Sequence, residues 1–243
     1  MPELTCLPEL LLPWYAENRR DLPWRRDREP YHVWLSEIML QQTRVEAVRG
    51  YYARFLQRLP TVEALAGADE DVLLKLWEGL GYYSRVRNLQ RAAQELTRRG
   101  GFPQTAEELE RLPGIGAYTA GAIASICFEQ KAPAVDGNVL RVLTRFLASD
   151  ACIDQPRVRR DFAGRLRGVY PAGHCGDFTQ ALMELGATVC VPNGAPQCAH
   201  CPLQDACAAH RSGRELQFPV RAEKRAKRVE QRTVLLMRCG DRL

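Results

Sequence analysis

The chain has 243 residues, of which 46% are hydrophobic and 26% charged, with a formal net charge of +5. This composition is typical of a globular protein, and the length allows one large domain or two small ones. Apolar runs stay short of the roughly 20 residues of a membrane helix, and residues 1–14 lack the basic start of a secretory signal. The sequence therefore predicts an intracellular, cytoplasmic protein with no membrane partner.

A carboxylate lies inside an otherwise apolar run between Trp34 and Thr43. Apolar surroundings disfavour the charged form of a carboxyl group. Glu37 could therefore stay protonated near neutral pH and act as a general acid. The alternative is a helix whose glutamate merely faces water.

Helical periodicity dominates the chain. Apolar stripes predict amphipathic helices over 45–59, 73–80, 86–96, 139–147 and 178–189. Side chains suited to capping helix N-termini stand at Thr61, Asp69 and Thr105. A strand-like pattern is found at Thr233–Met237. The sequence therefore predicts an all-α protein.

Two turns share one glycine spacing, Gly79-Leu80-Gly81 and Gly114-Ile115-Gly116. Two ordinary helix–helix turns would explain them. The second follows Leu112 and precedes a helix of small residues, and it resembles the helix-hairpin-helix DNA-binding motif. Its glycines would expose backbone N–H groups at a helix N-terminus, which bind a phosphate without reading base sequence.

A second candidate carboxylate, Asp136, stands directly before an amphipathic helix. N-capping alone would explain an aspartate at this position. The helix dipole and the free N–H groups predict a low pKa for Asp136. A protonated Glu37 and an ionised Asp136 would be two carboxyl groups with different roles, as in glycoside cleavage.

Four of the nine cysteines are clustered, with the spacing Cys190-x7-Cys198-x2-Cys201-x5-Cys207. Four thiolates at such short spacing can bind one iron-sulfur cluster or one zinc ion. Ligand softness leaves both metals open. His200 lies between two of these cysteines, and the complete set of four makes it a bystander.

The segment from residue 211 to residue 232 carries eight Lys or Arg and three Glu, so the remainder of the chain is neutral overall. Such a basic segment suits a polyanion such as nucleic acid, or it is a solvated linker. Charge alone leaves both interpretations open.

The motifs together resemble the MutY-type adenine DNA glycosylases of the helix-hairpin-helix superfamily, which includes endonuclease III. The resemblance runs from Trp14 to Pro219 and keeps the family's order of motifs. These motifs are Pro23–Arg25, Trp34–Thr43, Gly79–Tyr83, Leu112–Ala120, Val135–Val139 and the four cysteines.

The resemblance implies two all-α lobes with DNA bound in the cleft between them. Residues 26–128 would form a six-helix barrel with the hairpin, and residues 1–25 and 129–219 an iron-sulfur lobe. Residues 220–243 would be a basic linker and the start of a truncated C-terminal domain. The implied activity is base excision repair: hydrolysis of the N-glycosidic bond of adenine mispaired with 8-oxoguanine or guanine. The partner would be double-stranded DNA containing mispaired adenine, bound by a nucleoid-associated monomer.

Site residues follow from the same resemblance. Glu37 matches the acid that protonates adenine at N7, and Asp136 the carboxylate that stabilises the oxocarbenium ion. Asn138 and Tyr118 match residues that hydrogen-bond around this pair. Gln42 and Tyr82 match the wedge, the side chains that push into the base stack and help to flip adenine out of the duplex. Leu112, Gly114 and Gly116 match the DNA-binding hairpin. The adenine pocket matches Trp24, Arg25, Leu40 and Glu184.

The resemblance also implies that the four cysteines bind a [4Fe–4S] cluster rather than zinc. Bifunctional members carry a lysine after the Gly-x-Gly turn that cuts the strand through a Schiff base. Tyr118 stands at that position here, so we expect base removal without a true lyase step. An endonuclease III-like glycosylase/lyase for oxidised pyrimidines and a non-catalytic iron-sulfur DNA-binding protein are the alternatives.

Two departures from the family pattern are visible. The first cysteine gap holds seven residues where the family commonly has six, and a turn at Asn193-Gly194 is expected to absorb the extra one. MutY-type enzymes usually carry a C-terminal Nudix-like domain that recognises 8-oxoguanine. The chain reaches Leu243 soon after its basic segment, so we expect most of that domain to be missing.

Overall fold

The computed structural model describes residues 3–223, 230–231 and 233–234, and the described residues contain no β-strand. The all-α prediction is confirmed. Thr233 and Val234 have no regular structure, and the rest of the strand-like run lies outside the described residues. The α-helices of the described residues are α1 (Leu7–Asn18), α2 (Pro30–Leu40), α3 (Val45–Arg58), α4 (Val62–Ala66), α5 (Glu70–Trp77), α6 (Ser84–Arg99), α7 (Ala106–Leu109), α8 (Ala117–Phe128), α9 (Gly137–Leu147), α10 (Pro156–Arg167), α11 (Cys175–Thr188) and α12 (Ala208–Arg211).

Local chemistry sets where several helices begin. The side-chain oxygen of Thr61 accepts a hydrogen bond from the Ala64 N–H, and the carboxylate of Asp69 accepts one from Asp71. Thr105 caps α7 in the same way. Each contact satisfies one of the N–H groups that a helix start leaves without a partner. All three predicted N-caps are confirmed.

Helices α2 to α8 surround one apolar core, the first cluster, whose buried members lie between residues 22 and 132. Helix α2 is buried on nearly every side, with eight of its 11 residues buried. Among its buried residues is Glu37, a carboxylate in a mostly apolar interior. The interpretation of a glutamate facing water is wrong.

A second apolar core, the second cluster, combines the chain's N-terminus with its later helices. Its buried members lie in residues 4–15 and 135–203, most of them on α1, α9, α10 and α11. Leu22 and Trp24 pack in the first cluster. The chain thus crosses from one core to the other between Tyr15 and Leu22, and the predicted lobe boundaries stay a prediction.

The two clusters meet where α8 packs against α11. A side-chain hydrogen-bond chain crosses the contact: Thr179 Oγ1 lies 2.8 Å from Ser125 Oγ and 2.8 Å from the Tyr170 hydroxyl. At Gly176, an added Cβ would lie only 2.9 Å from Cα of Ile126. The two helix backbones therefore approach too closely for any side chain at this position.

None of the helices in the described part of the chain combines the length and apolar character that crossing a membrane requires.

Replacing Gly176 with alanine tests the helix contact. The new methyl group would meet backbone rather than a flexible side chain, and we expect a loss of about 1–3 kcal/mol in the free energy of unfolding. The matched control is Gly164→Ala in α10, where an added Cβ meets nothing within 4 Å and a gain of about 0.4–1 kcal/mol is expected. Urea unfolding measures both, and equal effects of the two substitutions would contradict the close approach.

Candidate active site and cysteine cluster

A cavity of about 730 Å3 lies where the two clusters meet. It collects side chains from the N-terminal segment, α2, α8, α9 and α11. Nine of the predicted site residues line this cavity: Trp24, Arg25, Glu37, Leu40, Gln42, Tyr118, Asp136, Asn138 and Glu184. Residues separated by up to 160 positions in sequence are thus brought to one site.

Glu37 is 8% exposed, and its Oε2 accepts a 2.6 Å hydrogen bond from the hydroxyl of Tyr118. Burial raises the pKa of Glu37 to about 7, and the charge of Asp136 adds to the rise. The hydrogen bond from Tyr118 and the charge of Arg25 act in the opposite direction. The expectation of a carboxyl group protonated near neutral pH is consistent with this environment.

Tyr118 reaches Glu37 because it is the second residue of α8, directly after the Gly114–Gly116 turn. Burial and the two neighbouring carboxylates raise the pKa of Tyr118 well above its usual value. The phenol therefore stays protonated and acts as a hydrogen-bond donor to Glu37.

Asp136 is the N-cap of α9, as predicted. Its carboxylate accepts 2.7 Å hydrogen bonds from the Val139 N–H and from Nδ2 of Asn138. The expectation of a low pKa is wrong, because burial raises the pKa of Asp136 above its usual value in spite of these two donors and the charge of Arg141. Desolvation of the charged form outweighs the helix N-terminus here.

The arginine that supports this carboxylate was missed at the level of sequence. Arg141 Nη2 donates to Oδ1 of Asn138 at 2.8 Å and to the Gly186 carbonyl at 2.7 Å, and its Nε donates to the Cys190 carbonyl at 2.7 Å. The side chain thus connects the Asp136 end of α9 to the start of the cysteine loop. One signal was available: Arg141 lies three residues from Asn138, a spacing that places both on one helix face.

Glu184 is fully buried on α11 and holds two arginines. Arg20 donates from Nε at 2.7 Å and from Nη2 at 2.9 Å, and Arg25 Nη2 donates at 2.8 Å. Burial alone would raise the pKa of Glu184, but the two guanidinium groups lower it to about 2. Arg25 Nη1 is buried with no hydrogen-bond partner in the described structure. Arg20 is a second residue that sequence reasoning missed.

The remaining predicted DNA-binding residues lie outside the lining of the cavity. Tyr82 is 65% exposed, whereas Leu112 is buried in the first cluster and so can only support its turn. Gly114 has a φ of +76°, and an added Cβ there would lie 2.7 Å from Cβ of Asn88. Gly116 is the N-cap of α8 and leaves the start of that helix uncovered by a capping side chain.

All four clustered cysteines line one small cavity of about 30 Å3. Arg145, buried on α9, donates a hydrogen bond from Nη1 to Sγ of Cys190 at 3.3 Å. Four sulfur atoms around one cavity beside a buried guanidinium form a donor set that fits a tetrathiolate-bound group. His200 is not among the residues of this cavity, and Gly194, in the predicted turn, has a φ of +74°.

Residues 35–167 match the family described as HhH-GPD superfamily base excision DNA repair protein. This match covers more than half of the chain, and it agrees with a hairpin turn beside a cleft lined by the carboxyl groups of Glu37 and Asp136. The protein belongs to the HhH-GPD superfamily.

Relatives within this family are more specific. The chain is 47% identical over 219 residues to the adenine DNA glycosylase of Rattus norvegicus, a match that covers 86% of this chain but only 42% of that protein. A thermostable thymine-DNA glycosylase has a similar structure, with 27% identity, a TM-score of 0.75 and coverage of 84% of this chain and 94% of that one. A non-covalent endonuclease III–DNA complex shares the fold, with 22% identity, a TM-score of 0.69 and coverage of 86% and 94%.

The raised pKa of Glu37 makes a prediction about stability. Between the ordinary pKa of 4.5 and about 7, the unfolded chain releases the Glu37 proton while the folded protein keeps it, so stability falls as pH rises through this window. Glu37→Gln removes this effect. From pH 4 to pH 8, the free energy of unfolding of the variant should gain about 3 kcal/mol relative to wild type, measured by urea unfolding.

The matched control for that experiment is Glu17→Gln, which changes an exposed glutamate on α1. It should follow the wild-type pH dependence. A difference between wild type and Glu37→Gln that stays constant over the whole pH range would show that burial does not perturb Glu37.

Proposed function

We propose that this protein removes adenine from mispairs in double-stranded DNA by hydrolysing its N-glycosidic bond. The observation that carries the proposal is a buried Glu37, with a pKa of about 7, in the same cavity as Asp136. One carboxyl group is thus suited to give a proton and the other to face a positive charge. The 47% identity to an adenine DNA glycosylase supports adenine as the base.

Glu37 acts as the general acid. Its carboxyl proton passes to N7 of the flipped adenine, the C1′–N9 bond breaks, and the bonding electron pair leaves with the base. The hydrogen bond from Tyr118 holds the other carboxyl oxygen, so the acid is oriented before substrate enters. A pKa near the working pH keeps a large part of the group protonated and still able to release its proton.

Asp136 stabilises the sugar cation that remains. Its carboxylate is fixed at the N-cap of α9 by Val139 and Asn138. Since the site is buried, a charge placed here interacts strongly with a developing oxocarbenium ion. Water then attacks C1′, and the proton that it loses passes to the Glu37 carboxylate, which completes hydrolysis and restores the acid. Tyr118 replaces the Schiff-base lysine of bifunctional relatives, so the strand stays intact.

The adenine pocket is assigned to the residues around the buried Glu184. Glu184 is engaged by Arg20 and Arg25, and the unpartnered Nη1 of Arg25 offers a donor to the base. Trp24 and Leu40 supply apolar walls of the same cavity. A buried donor without a partner disfavours bases that cannot accept its hydrogen bond.

Duplex DNA is the proposed partner. The Gly114–Gly116 turn and the open start of α8 suit a backbone phosphate. Gln42 and Tyr82 are exposed beside the cavity and suit the space that a flipped nucleotide leaves. Recognition of 8-oxoguanine or guanine opposite the adenine belongs to this proposal.

A [4Fe–4S] cluster is the proposed cofactor. Cys190, Cys198, Cys201 and Cys207 would hold it, and Arg145 would face it through Cys190. When bound, such a cluster fixes the surrounding loop and adds a redox-active group. The chain's own residues perform the glycosidic cleavage.

Single-turnover kinetics test the proposed function. The protein is mixed with duplexes carrying one adenine opposite either 8-oxoguanine or guanine, and free adenine is quantified. We expect adenine release from both duplexes, with strand cleavage only after alkali treatment. Release of oxidised pyrimidines, or a covalent adduct trapped by borohydride, would instead indicate the glycosylase/lyase alternative.

Glu37→Gln is the decisive control in that experiment. The variant cannot donate the proton, so release should fall by at least about 100-fold while duplex binding is retained. Full activity of Glu37→Gln would refute the acid assignment. DNA binding without release by wild type would support a non-catalytic protein.

Iron analysis and visible absorbance test the proposed cofactor. Protein purified without oxygen should be brown and contain about four iron atoms per chain. Cys198→Ser should lose the colour, whereas Cys127→Ser, at a half-buried cysteine outside the cavity, should keep it. A colourless protein containing one zinc ion would contradict the iron-sulfur assignment.

A further inference from the structure

Two turns beside the cavity hold non-glycine residues in left-handed backbone conformations. Gln42, after α2, has a φ of +61°, and Tyr82, before α6, has a φ of +48°. Both residues are exposed. Such conformations cost about 1–2 kcal/mol each, so neighbouring contacts must maintain them.

The guanidinium group of Arg85 forms hydrogen bonds with both turns. Arg85 Nη1 donates to the carbonyl of Ile38 at 2.9 Å and to that of Gln41 at 2.7 Å. Arg85 Nη2 donates to the carbonyl of Leu80 at 2.9 Å and to that of Gly81 at 3.3 Å. Each terminal nitrogen thus binds one turn, and the planar fork fixes the distance between them.

The same guanidinium lies against two aromatic rings. Its Cζ is 5.5 Å from the centroid of the Tyr82 ring and 5.5 Å from that of Trp77. Trp77 in turn donates from Nε1 to the Gly81 carbonyl at 3.1 Å. Cation–π contacts of this kind orient a ring as well as attract it. The exposed Tyr82 side chain therefore rests on a fixed support.

Arg85 has no ion pair with a carboxylate among residues 3–223, and its Nε is buried without a hydrogen-bond partner. Partial burial of a charge that has only carbonyls and aromatic rings as partners is costly. The contacts that Arg85 makes are all to backbone or rings of the two turns and of α2 and α5.

We propose that Arg85 is a positioning residue that sets the spacing and orientation of Gln42 and Tyr82, so that both side chains enter the base stack together. This inference rests on the proposed function, in which these two side chains fill the space of the flipped adenine. Flipping costs a few kcal/mol of lost stacking and pairing. If the two turns are already ordered before DNA binds, insertion of Gln42 and Tyr82 offsets that cost without a further entropy loss for ordering the turns.

Two variants, Arg85→Met and Arg85→Lys, distinguish the role of the planar guanidinium group from the role of its positive charge. Methionine fills the space without donors, and lysine keeps a charge but lacks the planar fork. The control is Arg98→Met on the same helix, about 20 Å further along its axis. Its side chain is exposed and pairs with Glu95.

Two readouts are measured on each protein. The first is the fluorescence of 2-aminopurine placed next to the mispaired adenine, which rises when binding opens the stack, with or without catalysis. The second is the single-turnover rate of adenine release as a function of pH. Thermal unfolding and visible absorbance establish that each variant is folded.

We expect Arg85→Met to lose most of the fluorescence rise and to release adenine about 10- to 100-fold more slowly. The pH midpoint of the rate should stay at the wild-type value, because Glu37 is untouched. Arg85→Lys should be intermediate, and Arg98→Met should match wild type.

Several results would overturn the inference. These are a full fluorescence rise with Arg85→Met, wild-type behaviour of Arg85→Lys, a shifted pH midpoint, or loss of folding by both Arg85 variants. If the wild-type protein gives the fluorescence rise but releases no adenine, only the proposed function is refuted. The fluorescence of the variants would then still decide the role of Arg85. No fluorescence rise with bound wild-type protein would refute the wedge and with it this inference.

Discussion

The hydrogen bond between Tyr118 and Glu37 joins the two helices on which the site depends. Helix α2 places a largely buried carboxyl group in the lining of the cavity, and α8 supplies the donor that keeps it oriented. The bond is possible because the Gly114–Gly116 turn starts α8 beside α2. The same turn is the element proposed to hold a DNA phosphate, so one short segment would set both the register of the DNA and the position of the acid.

Arginines with carbonyl partners are a recurring device in this fold. Arg145 donates to the carbonyls of Glu215, Phe218 and Val191, and Arg85 and Arg141 likewise donate to backbone carbonyls. Loops without regular structure leave carbonyl groups unpaired, and one guanidinium satisfies several of them in a fixed geometry. Arg85 connects the two turns that carry Gln42 and Tyr82 in this way, and Arg141 and Arg145 connect α9 to the segment that begins at Cys190.

Sequence reasoning succeeded where the determining contacts are local. The caps at Thr61, Asp69 and Asp136 depend on neighbours within three residues, and apolar neighbours within α2 already indicated a perturbed Glu37. It failed where tertiary packing decides. A helix start by itself favours an anion. The pKa of Asp136 nevertheless rises, because α11 and the rest of the cavity bury this helix start. The sequence identifies only the positive charges of Arg20, Arg85 and Arg141. Which carbonyls and carboxylates they contact depends on tertiary packing.

The two apolar cores differ in how the chain supplies them. Residues 22–132 contain the whole first cluster, whereas the second cluster needs residues 4–15 together with residues 135–203. During synthesis the first core can close early, but α1 emerges first and finds its partners only after more than 100 further residues have been made. Until then its apolar face has no native contact. The second core, beside Asp136 and the cysteines, can therefore assemble only after residues 4–15 have packed against residues 135–203.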